Sequence, residues 1–346
     1  MPWRGRTASR RWKVPRRLLW SIAGILLLAA ALWFVPTPYY VTAPGAAIDT
    51  SRVVQVEGGH PRRGDLYMLI VTSRPANLFW YLFSKVDSRV RLETRTEFLG
   101  EIPDYQQYLV LTRRMMENSQ QTAKALGLKW AGRGSGVEQI GAEITGLLSG
   151  SPVHGVLQPG DIITAVEGEP VRTAEELADR VRRLTPGSPV VLSLLREGQE
   201  LRLKVPTGAQ SDPQRQGEAA LGVYITDAFR FDLPVPVEIR TGSITGPSAG
   251  LMFTLQIIDQ LLPTGITGGL RVAGTGTVEP DGRVGAIGGV QQKVFTAEAA
   301  GAEVMLVPRE NYQEALAVAT RVQVVPVSTV EEALSVLMEM SRSAQA

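Results

Sequence analysis

The hydrophobic positions change period along the chain. Leu18 to Val35, "LLWSIAGILLLAAALWFV", runs 18 residues without a charge. Short runs of β character follow ("YYVTAPG", "RVVQVEG", "DLYMLIVTS"), and then a helical stretch over Tyr105–Leu126. Farther on, Ile162–Val166 reads as a strand, and Thr173–Leu184 as an amphipathic helix carrying Leu177, Val181 and Leu184 on one face. "VVLSLLREGQELRLKV" predicts a hairpin turning at Glu197-Gly198. Val223–Thr226 and Val235–Ile239 read as strands. Leu251–Leu262 is a helix with only a narrow polar stripe of Gln256, Asp259 and Gln260, so it should be mostly buried. Val290–Ala300 is a helix entered through Gly288-Gly289 and closed by Gly301 at its C′ position.

Loop-like stretches divide these patterns. "GRGSG" over 132–136 marks a boundary, and "TGAQSDPQRQGEAA" over 207–220 has the composition of a linker. The fold class expected is a multidomain α+β chain. Its parts are a basic segment at 1–17, an apolar helix at 18–35, a small α/β domain at 37–130, a β-rich domain at 133–206, the linker, and an α/β domain at 221–346.

Charge changes the reading of the first helix. Residues 1–17 hold seven basic side chains and no acid, whereas the rest of the chain holds 29 basic against 34 acidic ones. An 18-residue helix is about 27 Å long, close to the roughly 30 Å hydrocarbon core of a bilayer. With the basic residues ahead of it, the pattern predicts a single-pass cell-membrane anchor with a cytoplasmic N-terminus, the remainder lying outside the cytoplasm. Trp33, Phe34, Tyr39 and Tyr40 cluster where an interfacial aromatic belt would sit. A cleaved signal peptide is the competing reading, but its apolar core is usually shorter, about 7–15 residues. A nucleic-acid arm is not expected beside so apolar a run.

Composition narrows the chemistry. The chain has no cysteine and only two histidines, His60 and His154. That excludes thiolate sites and a cysteine nucleophile, and no histidine-based metal site is expected. No lysine follows a glycine, so a G-x-x-x-x-G-K-[ST] phosphate loop is absent. No cofactor is expected.

"TGPSAG" over 245–250 fits the G-x-S-x-G nucleophile elbow, which needs a histidine after the serine; none follows Ser248. The alternative base is lysine, because arginine stays protonated at any working pH. The chain has 30 arginines and six lysines, and one lysine, Lys293, follows Ser248. Helical spacing puts Val290, Lys293, Val294 and Ala297 on one face, where burial would depress the amine's pKa. Lowering it from about 10.4 to about 7–8 corresponds to roughly 3–4 kcal/mol against the ammonium. Gly246, Ala249 and Gly250 would then offer backbone N–H groups and close approach to a substrate. A helix-capping serine and a surface lysine remain the bland readings of the two residues.

Two stretches carry family resemblances. "SPV…LQPGDIITAVEGEPV", within about 65 residues, resembles a PDZ domain of the bacterial protease-associated kind. That resemblance implies an extended peptide adding beside Gly141–Gly146 and packing on the Thr173–Leu184 helix, with Gly141, Ile144, Leu177 and Val181 in the binding surface. A PDZ-like spacer is the alternative. "GPSAGLMFTLQIIDQL", "TGGLRVAGTGTVEPDGRVGAIGGVQQKV" and "AGAEVMLVP" resemble the Lon proteolytic domain over about 120 residues. The whole is similar to membrane-anchored Lon-like PDZ proteases of the YlbL/SepM type. The resemblance implies Ser248 as nucleophile, Lys293 as general base and Thr275 as the residue positioning the lysine. Thr245 stands where ATP-dependent Lon commonly has an acid. The implied activity is ATP-independent serine endopeptidase action on polypeptides, with homo-oligomers expected. A membrane-tethered PDZ scaffold is the reading from a different class, and signal-peptidase-like processing a third.

Overall fold

The computed structural model describes residues 16–60, 65–100, 102, 104–209 and 217–345. Its centre is a six-stranded sheet in the order Gln323–Val327, Val304–Pro308, Arg271–Gly274, Asp65–Asn77, Pro36–Asp49, Arg91–Thr94. The first four run parallel and the last two join antiparallel. Parallel strands are covered on both faces, and the residues here alternate accordingly. Leu66, Met68, Val272, Val304 and Leu306 point into one core; Leu69, Ala273, Met305 and Val307 point into the other.

The first core is closed by the helix Gly250–Leu261, nearly every residue of which is buried, as its apolar sequence predicts. Packed on it is a long helix, Tyr105–Trp130, capped by Asp104. Gly127 is the point of closest approach, where an added Cβ would stand 2.6 Å from the Ile257 side chain. Gly127→Ala is therefore expected to lower stability by about 1–3 kcal/mol, outweighing the roughly 1 kcal/mol that alanine gains over glycine in a helix. Ile257→Ala in the same chain should recover part of that loss. Chemical denaturation of the three variants checks it. The second core is closed by the helix Val290–Ala299, entered at Gly289 in the left-handed region and followed by Gly301, also left-handed.

The expected domain divisions do not coincide with these sheets. Strands from 36–94 and from 271–327 share one sheet, and the long helix packs on Gly250–Leu261, so the expected spacer at 37–130 and the later domain are one body. Pairing between strands some 200 residues apart leaves no local signal in the chain. Within this body sits a second sheet, in the order Val223–Asp232, Gly136–Leu147, Ile162–Val166, Pro189–Arg196, Gln199–Pro206. It has its own core around Ile144, Ile163, Leu177, Leu192 and Leu194. Val223–Asp232, expected to open the last domain, is instead an edge strand of this sheet. Of the expected linker, residues 210–216 lie outside the described residues, and its ends pair as Gly208↔Ala220 and Ala209↔Ala219.

Arg16–Phe34 is a helix of 19 residues. Among the described residues no helix is long and apolar enough to cross a membrane. Residues 1–15 of the basic segment lie outside those described.

Candidate active site

Strand Arg271–Gly274 ends at Thr275, at the carboxyl end of the parallel strands, where α/β sheets commonly hold their ligands. The loop before the Gly250–Leu261 helix reaches this end from one face of the sheet, and Lys293 reaches it from the other. Thr275 is fully buried, and its N–H donates to the Leu306 carbonyl at 3.0 Å. The strand end is thus fixed by the neighbouring strand.

The Ser248 loop is held from the long helix and from the end of strand Arg271–Gly274. The Gly246 N–H donates to the Thr112 carbonyl at 2.9 Å, and the Ser119 hydroxyl donates to the Pro247 carbonyl at 3.0 Å. The Ser248 carbonyl accepts from the Gly276 N–H at 2.8 Å and from the Thr275 hydroxyl at 3.0 Å. Thr112 and Ser119 were not singled out in the sequence, although they lie seven residues apart on the buried face of the long helix. Small polar residues at helical spacing within an apolar stripe were the available signal.

Ser248 does not cap the helix. Ala249 occupies the cap position without a side-chain bond, and the Ser248 Oγ lies 2.9 Å from Lys293 Nζ. The same Nζ lies 2.9 Å from Thr275 Oγ1. Because the Thr275 O–H is donated to the Ser248 carbonyl, its oxygen must accept a proton from the amine. That contact turns the remaining amine valences toward Ser248.

Lys293 is only 2% exposed, on a helix whose Val290, Val294 and Ala297 are also buried. Among the described residues no carboxylate pairs with it. Burial without a counter-charge lowers its pKa from 10.5 to about 7. A neutral amine one hydrogen bond from a hydroxyl can take that proton near neutral pH. Among the described residues, no cluster of three or more His, Cys, Asp or Glu could hold a metal ion.

The three residues expected to line substrate approach differ in role. Gly246 has φ +91° and open space where a Cβ would lie. The Ser248 and Ala249 N–H groups meet no acceptor among the described residues, as donors to an oxyanion must. Gly250 departs from expectation. Its N–H donates to the Pro247 carbonyl, and a Cβ there would stand 2.6 Å from Ser119 Oγ and 2.9 Å from Val278 Cγ2. Gly250 is a packing glycine.

The expected peptide edge is also corrected. Gly141 and Ile144 lie on Gly136–Leu147, which is paired on both sides, so no strand can add there. Ile144 is wholly buried in the core. The edge strand on that side of the sheet is Val223–Asp232, and a groove of about 120 Å³ lies between it and the helix Ala174–Arg182. Leu177 and Val181 do line it, opposite Leu221, Val223 and Ile225. The edge was overlooked because it lies beyond the linker, at least as far from its partner strand in sequence as Val223 is from Leu147.

Comparison with known proteins bears on these two units. Residues 224–340 match the Lon protease (S16) C-terminal proteolytic domain. The C-terminal domain is of the Lon type. Residues 124–207 match a PDZ domain. The Lon protease of Campylobacter concisus is 29% identical over 149 residues, covering 42% of this chain and 18% of that protein. A probable periplasmic serine endoprotease, DegP-like, of Bartonella henselae is 35% identical over 68 residues, covering 20% of this chain and 14% of that protein. The solved PDZ domain of an SdrC-like protein from Listeria monocytogenes shares 20% identity with a TM-score of 0.23, covering 25% of this chain and 87% of that one. The chain thus spans less than a fifth of the length of the curated Lon proteases it matches. The Ser248 loop, Thr275 and Lys293 all fall within the Lon-type match.

Proposed function

We propose that this chain is an ATP-independent, membrane-anchored serine endopeptidase that works through a Ser248–Lys293 dyad. The observation that carries the reading is the 2.9 Å approach of a buried, carboxylate-free amine to the Ser248 hydroxyl. Ser248 Oγ attacks the scissile carbonyl as its proton passes to Lys293 Nζ. The oxyanion forms against the Ser248 and Ala249 N–H groups. The Lys293 ammonium then protonates the leaving amine, giving an acyl-enzyme on Ser248. Water, deprotonated by the neutral amine, releases the second product. Thr275 positions the amine by accepting one of its protons.

The chain's substrates are extended or flexible polypeptide segments, since no phosphate loop is available to power unfolding. The groove at the Val223–Asp232 edge supports strand addition of a peptide in the PDZ manner. Support for the anchor comes from the uncharged run with its basic flank. Beside it, Trp33, Phe34, Phe79, Leu82 and Phe83 are exposed, and the Leu78 N–H and Asn77 Nδ2 donate to the Val35 and Trp33 carbonyls. An apolar aromatic surface of that kind suits a membrane interface. This would place the dyad outside the cytoplasm, and self-association of the Lon-type domain is part of the same proposal.

The test is incubation of the full chain, in lipid nanodiscs, with a pool of unstructured peptides, followed by mass spectrometry. Internal cuts that disappear in Ser248→Ala are expected. A parent chain that cuts nothing, or a Ser248→Ala chain that cuts equally, overturns the proposal. The former outcome would favour a tethered PDZ scaffold.

A further inference from the structure

One short element turns its apolar side outward. Asn77, at the end of strand Asp65–Asn77, caps the helix Leu78–Phe83, "LFWYLF", in which every residue is apolar or aromatic and none is buried. The turn continues past it, for the Val86 and Asp87 N–H groups donate to the Phe83 carbonyl at 3.0 and 2.9 Å. Phe79, Leu82, Phe83 and Val86 therefore follow the i, i+3, i+4, i+7 spacing of one helical face. In a globular fold such a face packs on the core. Here it is exposed, from 36% at Phe79 to 87% at Val86. Trp80 faces the other way and packs with Val41, Ala76 and Val90. The inner side of the element is thus already covered, and the outer stripe has the character of an interaction surface.

The adjoining chain says what covers the stripe. Trp33, Phe34 and Val35, the end of the uncharged run, are exposed, and the Trp33 and Phe79 rings lie 6.1 Å apart. The Leu78 N–H donates to the Val35 carbonyl at 2.9 Å, so the run and the stripe form one surface. An environment that accepts Leu18–Val35 reaches the stripe as well. Aromatic rings bordered by cations suit the lipid headgroup level. Lys85, in the stripe's last turn, has its amine 5.2 Å from the Tyr81 ring centroid, and the Arg74 guanidinium stands 4.6 Å from that of Trp80. The acid in that turn, Asp87, is paired with Arg89 at 2.7 Å.

Register places this surface at the dyad's end of the central sheet. Strand Asp65–Asn77 pairs with Arg271–Gly274 only as far as Met68. Its remaining residues run on past the strand end at which Thr275 meets Ser248 and Lys293. From Leu69, level with Thr275, eight residues lead to Asn77, at most about 26 Å. Two contacts tie this arm to the lysine helix. A Cβ on Gly289 would stand 3.3 Å from Val71 Cγ1 and 3.5 Å from Thr42 Cγ2. Gln292, fully buried beside Lys293 in sequence, donates through Nε2 to the Arg89 carbonyl at 3.1 Å, in the loop that follows the stripe.

We infer that Phe79, Leu82, Phe83 and Val86 form an interfacial membrane-binding element, seated at the headgroup–acyl boundary of a lipid bilayer. Seated there, it holds the Ser248–Lys293 end of the central sheet toward the bilayer. The inference rests on the membrane-anchor reading above and deepens it: the chain meets the membrane at a second place, and that contact fixes how the site faces. It does not depend on the chain cutting peptides.

Fluorescence depth measurements on the full chain, in nanodiscs of phosphatidylcholine and phosphatidylglycerol, test this. The chain has no cysteine, so Leu82→Cys, Leu27→Cys and Gln323→Cys each take a single NBD label. Leu27 reports on the helix Arg16–Phe34, whereas Gln323 is exposed at the amino end of the parallel strands. Lipids with a nitroxide near the top of the acyl chain should quench the Leu82 label at least about twofold and leave the Gln323 label unchanged. Adding Phe79→Asp and Phe83→Asp should bring quenching at Leu82 down to the Gln323 level, with the Leu27 label still quenched. An unquenched Leu82 label beside a quenched Leu27 label overturns the inference and leaves the anchor standing. Two unquenched labels overturn both. Equal quenching of Leu82 and Gln323 overturns the stated orientation. Cross-linking of Leu82→Cys to a second copy, without quenching by lipid, would mean that another chain covers the stripe, and it overturns the inference too.

Discussion

Lys293→Met is expected to abolish cleavage, by a factor of about 10³ or more, while making the protein more stable. Both effects come from one property of the side chain. Its amine is buried beside Ser248 and Thr275 and held near pKa 7. The unfolded chain would hold the same amine near 10.4. The sign follows from linkage: between pH 7 and 10.4 the unfolded state binds the extra proton, so the penalty on the native state is absent above 10.4, grows as pH falls, and is complete below about 7. At pH 7 that penalty is on the order of 3–5 kcal/mol. Methionine removes the ionisable group and keeps the volume, so denaturation at pH 7 should show a gain of a few kcal/mol that shrinks toward pH 10. Lys293→Arg should also be silent, but for a second reason, because it buries a charge that cannot be shed. A Lys293→Met chain that cut peptides would remove the amine from the mechanism. One that lost stability would mean the ammonium is not penalised in the fold.

Activity should also collapse in acid, tenfold for each pH unit below about 7. The general base must be neutral to accept the Ser248 proton, and kcat/KM reports the ionisation of the free enzyme. With burial holding the amine near pH 7, cleavage should rise with unit slope from pH 5, bend near 7 and stay level to pH 9. At pH 5 about one amine in a hundred remains neutral. A pH–rate profile on a peptide cut by the parent checks this. An inflection near 10 would mean that the amine is hydrated in solution and that its burial does not persist.

Much of this site was legible in the sequence, and the reason is that it depends on local chemistry. One lysine after the serine, in a chain that otherwise uses arginine, stands out by count alone. Its helical face could be read from Val290, Val294 and Ala297, all of which are buried as that spacing requires. The apolar run after Ser248 likewise forms the buried helix that its pattern predicts. Long-range arrangement was not legible. Nothing in "DLYMLIVTS" says that it pairs with Arg271–Gly274, and nothing in "VYITDAFRFD" says that it completes a sheet begun at residue 136. Glycines were ambiguous for a related reason. Gly246 and Gly250 look alike in "TGPSAG", yet one faces open space and the other is pressed on Ser119 and Val278, partners supplied from elsewhere in the chain on either side of it.

That the chain carries a PDZ domain joined to a Lon-type domain follows from the matches; the two are linked through the edge strand Val223–Asp232. It leaves the groove beside Ala174–Arg182 and runs toward Val237–Ile239, which pairs with Val54–Val56 in the body that holds Ser248 and Lys293. In the proposed peptidase, a peptide seated on this edge would be bound to the same continuous segment that leads to Ser248.

The most direct test of the central claim is to look for the acyl group. The full chain would be mixed with an activated acyl ester, quenched in acid after seconds, digested and mapped by mass spectrometry. One acyl group on the peptide bearing Ser248 is the predicted result, absent in Ser248→Ala and formed far more slowly in Lys293→Met. Acylation at another residue, or equal acylation of Ser248 in Lys293→Met, would contradict a serine activated by the buried lysine.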